Sequence, residues 1–240
     1  MTDRLGRWRR IVVAVALLAA TLTADARRAD ASTIGVVSAA ALSNDGQLDW
    51  AALGPSFTDV PNGFVTPVPA ISGLTITGTQ ASGGDFERID QGPLDWNGNF
   101  APQEALLWSV FGGPMTFTFS NAIMAFGAQI AADDFGAFTA RIEAFDASNA
   151  SLGFFLTNGL ASSAANDSAP FVGLLSDRRD IRKITLSLTT SGGGAGDPTD
   201  FAISSPVIQA VPEPVTLVLV GSGLAGALVR RRRTSIAVSR

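Results

Sequence analysis

The 240-residue chain contains no cysteine and no histidine, and Lys183 is its only lysine. Without cysteine there are no disulfides and no thiol nucleophile. Without histidine there is no Ser-His-Asp triad and no zinc site of the usual nitrogen and sulfur type. A serine nucleophile would need Lys183 as its base, and that lysine lies in a predicted strand with no serine motif beside it. Paired carboxylates can hydrolyse glycosides at set separations, yet no pair among the acids is singled out by position. The chain therefore reads as a non-enzyme. Lack of cysteine does not argue against export, because a large core can replace disulfides.

Charge is also scarce, at 16% of residues, while 46% are hydrophobic, ample for a core. The net charge of −4 hides a segregation. Residues 1–31 carry 6 basic and 3 acidic groups, and residues 212–240 carry 5 basic and 1 acidic. The middle, 32–211, keeps 6 basic against 17 acidic, a net of −11. Such a domain repels phosphate backbones and anionic lipid, which excludes nucleic acid as its expected partner and leaves divalent cations and neutral ligands.

The first residues have the three parts of a secretory signal: Arg4, Arg7, Arg9 and Arg10, then apolar Ile11 to Leu22, then small residues. Ala29-Asp30-Ala31 satisfies the cleavage rule and places the new terminus at Ser32. Ala24-Asp25-Ala26 satisfies it too, but would leave Arg27 and Arg28 at the terminus.

The middle reads as strands. "PMTFTFS" (114–120) alternates Met115, Phe117 and Phe119 with Thr116, Thr118 and Ser120, the period-two pattern of a half-buried strand. "IRKITLSLTT" does so with Ile184, Leu186 and Leu188, and "AFTARIEAFD" with Phe138, Ala140, Ile142 and Ala144. Seven further segments have strand character, from "GLTITGT" to "DFAISSPVI", and Gly, Asn, Asp and Pro punctuate them. About ten short strands without intervening helices predict an all-β fold, an antiparallel two-sheet sandwich of jelly-roll topology.

"DWNGNFAP" (95–102) is the most unusual loop. Asp95, Asn97 and Asn99 alternate oxygen-bearing side chains around a glycine, as calcium loops do, but the downstream EF-hand glutamate is missing. An Asx-rich turn bonded to its own backbone is the plainer reading. Asp133-Asp134, Asp197 and Asp200 are alternative calcium ligands near strand ends. Trp96, with Asp95 and Asn97 beside it, has the makings of a sugar-stacking site, although a packing role is its plainer reading too, and Trp108 lies within a strand and reads as core. Trp50 fits either role. Asn149 and Asn166 each open a glycosylation sequon.

The C-terminus carries "VPEPVTLVLVGSGLAGALVRRRR" (211–233). Val215 to Val229 are uncharged and would span ~22 Å as a helix, short of the ~30 Å hydrocarbon core. Three glycines weaken such a helix, and the arginines should remain cytoplasmic, as should the basic N-terminus. Pro212-Glu213-Pro214, a short Leu/Gly-rich stretch and Arg230, Arg231, Arg232 and Arg233 resemble, in this order, the PEP-CTERM sorting signal of bacterial exported proteins. The middle resembles the β-sandwich portions of other such proteins in "LDWAALGP", "WNGNFAPQEALLW" and "FGAQIAADDFGAFTARIEAFDASNASLG". The resemblance implies that an exosortase-type enzyme recognises Pro212, Glu213 and Pro214 and processes the tail.

The expected organisation is a signal peptide over 1–31, a sandwich over 32–211 and a sorting signal over 212–233 with a transmembrane helix over 215–229. A short cytoplasmic tail follows over 234–240. The expected role is structural or adhesive in the cell envelope or extracellular matrix. The alternative is a carbohydrate-binding module, with or without calcium, and with extracellular polysaccharide as partner; a hydrolase ranks third.

Overall fold

The computed structural model describes residues 32–81, 83–110, 112–190 and 200–210. The expected signal and transmembrane helices, the cleavage residues Ala29 and Ala31, and the sorting residues 212–214 and 230–233 lie outside the described residues. Among the described residues no helix is long and apolar enough to cross a membrane.

The described chain forms strands β1 (Thr33–Val36), β2 (Gly46–Gln47), β3 (Thr58–Val60), β4 (Phe64–Pro67) and β5 (Thr75–Gln80). They continue as β6 (Phe86–Asp90), β7 (Ala105–Trp108), β8 (Met115–Ile123), β9 (Ala125–Ala132) and β10 (Gly136–Phe145). The last five are β11 (Ser151–Ala161), β12 (Phe171–Ser176), β13 (Ile181–Thr190), β14 (Phe201–Ile203) and β15 (Val207–Gln209).

These strands pair antiparallel in two sheets. One runs β1-β12-β9-β14-β7-β6-β3, with β15 bonded to β9 and β2, and the other runs β11-β10-β13-β8-β5-β4. From β7 to β14 successive strands change sheet at every step except the β10–β11 hairpin. The resulting orders, β7-β14-β9-β12 and β8-β13-β10-β11, are those of a jelly roll. The sandwich and its topology thus agree with the expectation from alternation. The N-terminal strands β1 to β4, two to four residues each, lack that signal and emerge only through pairing.

Alternation decides what goes inside. Met115, Phe117 and Phe119 of β8, and Ile184 and Leu186 of β13, are fully buried. They face Phe126, Ala128 and Ile130 of β9 across the sandwich, in one continuous core. Each phenylalanine buried there contributes roughly 1.5–3 kcal/mol. Trp50 joins them from a 3₁₀ turn, Trp50–Leu53, whose Ala51 amide donates to the capping Asp49 side chain. Its indole Nε1 donates to the Ser204 carbonyl at 2.9 Å, so Trp50 is core.

Strand β9 departs from half-burial, since seven of its eight residues are buried. The main core covers one face. Over the other, the 91–104 and 162–170 loops build a second, smaller core from Trp96, Phe100, Leu106, Ala131, Ala169 and Ala202.

Candidate functional site

The 91–104 loop is pinned over the sheet by hydrogen bonds from both ends. The Trp96 amide donates to the Asp90 carbonyl at 2.9 Å, and Gly92 donates back to the Trp96 carbonyl at 2.9 Å. Asn99 is buried, 3% exposed. Its Nδ2 donates to the hydroxyls of Ser162 (3.1 Å) and Ser168 (2.8 Å), and its Oδ1 accepts from the Ser162 amide at 2.7 Å. Asn99 therefore ties the two covering loops together.

This geometry bears on the alternatives weighed for the loop. Trp96 is only 3% exposed. It lies edge-on to Phe100 (6.3 Å) and Trp108 (5.9 Å), so neither ring face is open to a sugar. Its apolar body was needed to close the second core. Asp95, Asn97 and Asn99 are not gathered around one point: the three side chains go to different places. Asp95 accepts from the Ser56 hydroxyl at 2.9 Å, Asn99 turns inward to the 162–168 loop, and Asn97 stays on the surface. The self-bonded Asx turn is not the arrangement at Asn99 either, since its bonds run across to another loop.

Asp133 and Asp200 do come together. Phe201 pairs with Ala132, so the next residues outward on β9 and β14 are these two acids, and the Asp133 amide donates to the Asp200 carbonyl at 2.8 Å. Burial raises the Asp200 pKa to about 6, with the carboxylates of Asp133 and Asp134 adding to the rise and the Gly112 amide opposing it. Asp197 lies outside the described residues. Among the described residues no group of three or more His, Cys, Asp or Glu is placed to hold a metal ion.

That rise gives stability a pH dependence of definite sign. A folded-state pKa above the ordinary 3.8 means that the fold favours the protonated acid. Its contribution is fully present below pH 3.8 and is lost as pH rises through about 6. The whole shift corresponds to ~3 kcal/mol, which solvent screening at this half-exposed site cuts to ~1 kcal/mol. Asp200→Asn is therefore expected to raise the thermal midpoint by about 2–4 °C at pH 7.5 and by nothing near pH 3.5. Thermal scans of both proteins at the two pH values check this, and an equal shift at both would refute it.

Beside the second core lies a groove of about 510 Å³ on the outer face of the larger sheet. Its lining includes Glu104, Gln129, Asp167, Phe171, Ser205 and Val207, with Ala39 at the rim. Gln129 Nε2 donates to Asp167 Oδ1 at 2.7 Å and to the Ala169 carbonyl at 3.2 Å, which fixes one wall. Glu104 accepts from the Ala101 amide at 3.1 Å. Burial raises its pKa, the Ala101 bond opposes that, and the nearby Asp167 carboxylate adds to it. None of these residues stood out in the sequence. The available signal was a glycine within each of two adjacent strands, Gly127 in "AFGAQIAA" and Gly173 in "PFVGLLS", the latter two residues after a phenylalanine.

The last strand of the jelly roll ends at Gln209, and residues 210–233 match the PEP-CTERM protein-sorting motif. The chain is thus an exported protein whose sorting motif implies processing by an exosortase-type enzyme. Among solved structures it is similar to a DUF4465 family protein from Bacteroides caccae, 12% identical, TM-score 0.38, over 73% of this chain and 99% of that one. It is also similar to the enzymatically active domain of bacteriophage CBA120 tailspike protein 4, 7% identical, TM-score 0.21, over 76% of this chain and 20% of that one. Neither likeness is close enough to inform function. No curated protein matches the sequence.

Proposed function

We propose that this protein is a non-catalytic component of the cell envelope or extracellular matrix, with a structural or adhesive role. In this reading the jelly roll is the cargo and the C-terminal stretch is its address. The observation that carries it is a coincidence of boundaries. Strand β15 ends at Gln209, Ala210 is fully buried with its amide donating to Asp45 Oδ2 at 2.9 Å, and the sorting motif starts at residue 210. The address therefore begins where folded cargo stops, and cleavage beyond Pro214 leaves Ala210 and every other described contact of the sandwich in place. At the other end β1 starts at Thr33, so cleavage between Ala31 and Ser32 leaves that strand whole. Residues 215–229 hold the unprocessed chain at the membrane by their apolar run. No cofactor, calcium included, enters this reading.

Intact-mass measurement of the protein from its native cells tests it. The expected mass lacks residues 1–31 and the region after Pro214. Replacing Pro212, Glu213 and Pro214 together by alanine should leave the tail attached and the protein in the membrane fraction. Tail removal unaffected by that replacement would refute the assigned recognition residues, and a mature wild-type mass that includes the tail would make the stretch an anchor.

A further inference from the structure

We propose that the groove on the outer face of the larger sheet binds an uncharged saccharide, with the Phe171 ring as its stacking floor. The strand register creates the floor. Val36 pairs with Gly173, Gly173 with Gly127, and Gly127 with Val207, so one cross-strand row reads valine, glycine, glycine, valine. Side chains along such a row stand on the same face of the sheet. The two glycines leave a trough between the valines, and the outer edge of the Phe171 ring occupies it. A side chain at Gly127 would overlap the ring, and a Cβ at Gly173 would sit 2.9 Å from the Phe171 Cε1 atom. The Cζ–Cε1 edge of the ring thus lies over both glycines, and Phe171, packed against the Val36, Leu42 and Val207 cluster, is half-buried where it lines the groove.

Around this apolar floor stand hydrogen-bonding groups. Ser205, Gln129, Asp167 and Glu104 line the walls; the bonds from Gln129 to Asp167 and Ala169 hold two of them, the Ala101 amide holds Glu104 and the Trp50 amide holds Ser205. A small apolar surface with a few fixed polar groups, in a volume of about 510 Å³, is the usual build of a small-ligand site. Sugars match it in having an apolar face for the aromatic ring and hydroxyls at the edge for amides and carboxylates. The charge chooses among sugars. Two carboxylates and no lysine or arginine line the groove, so uronic acids and other anionic ligands are repelled.

The inference goes beyond the envelope role and does not depend on tail processing. Export and processing are read by intact mass, and the groove by binding, so either can fail alone. The test uses the secreted protein purified from its native cells, titrated with oligosaccharides of glucose, galactose and mannose, and with uronic-acid oligosaccharides as the acidic arm. At least one uncharged oligosaccharide should bind and the acidic ones should not. Phe171→Ala should weaken that binding by about tenfold or more. Ala39→Trp, at an exposed rim position, should block the groove while leaving the thermal midpoint unchanged, and it decides the matter if Phe171→Ala fails to fold. The proposal is overturned if no uncharged oligosaccharide binds, if uronic acids bind equally well, or if Ala39→Trp leaves affinity intact.

Discussion

Phe117→Ala is expected to destabilise the sandwich by about 4 kcal/mol and to lower its thermal midpoint by roughly 10 °C. Phe117 lies at the centre of the main core, fully buried on β8. Its ring stacks on Trp50 at 6.1 Å and 27° and on Phe126 at 5.6 Å and 26°, so it joins the 3₁₀ turn to both sheets. Truncation removes the transfer free energy of the ring and leaves a cavity whose walls belong to three separate elements. Those walls cannot collapse together without moving strands. Two partners also lose an aromatic neighbour, worth roughly 0.5–1.5 kcal/mol per pair. Phe117→Leu, which refills most of the space, should cost less than half as much. Urea unfolding followed by tryptophan fluorescence measures both, and equal losses for the two variants would show that the cavity is not the cause.

The second large effect concerns a buried charge. Arg88 on β6 is 5% exposed, and its Nη2 meets Asp90 Oδ1 at 2.6 Å. The two residues are two apart on one strand, hence on the same face. Arg88 Nε and Nη1 find no hydrogen-bond partner among the described residues. Such a pair is a poor source of net stability, because desolvation of the guanidinium offsets the Coulomb attraction. Breaking it from one side is another matter. Asp90→Ala leaves an uncompensated cation under the sheet and is expected to cost about 2–4 kcal/mol, the lower end reflecting the partial exposure of Asp90. Arg88→Met removes the charge and fills similar space, and is expected to lie within ~1 kcal/mol of the wild type or above it. In the Arg88→Met background Asp90→Ala should be nearly silent. Chemical denaturation of the four proteins closes the cycle, and an Arg88→Met variant as unstable as Asp90→Ala would contradict it.

Much of the fold was legible because side chains alternate in strands. The buried sets of β8, β10 and β13 come directly from "PMTFTFS", "AFTARIEAFD" and "IRKITLSLTT", and a jelly roll is a natural way to close so many short strands. "DFAISSPVI" reads as one strand but divides into β14 and β15, because β9 bonds them separately on either side of Ser204, Ser205 and Pro206. Trp96 was open to two readings for a similar reason. Its polar neighbours suggested a surface site, yet whether a tryptophan in a loop faces water depends on whether that loop lies over a sheet.

Two properties of this protein are written in contiguous residues, the address and the alternation. The Pro-Glu-Pro motif, the short apolar run and the arginine block are adjacent in the chain, so no folding is needed to bring them together. A period-two pattern is likewise local, and it states which face of each strand goes inside. The covering of the outer face, by contrast, was settled in three dimensions. Glu104, Gln129 and the Asp167–Phe171 stretch are three separate segments of chain, and Gly127 meets Gly173 only in one register of β9 against β12. Register is set by the burial of a whole face, a sum over many strands, and no single segment carries that sum. The groove and its aromatic floor are consequences of it.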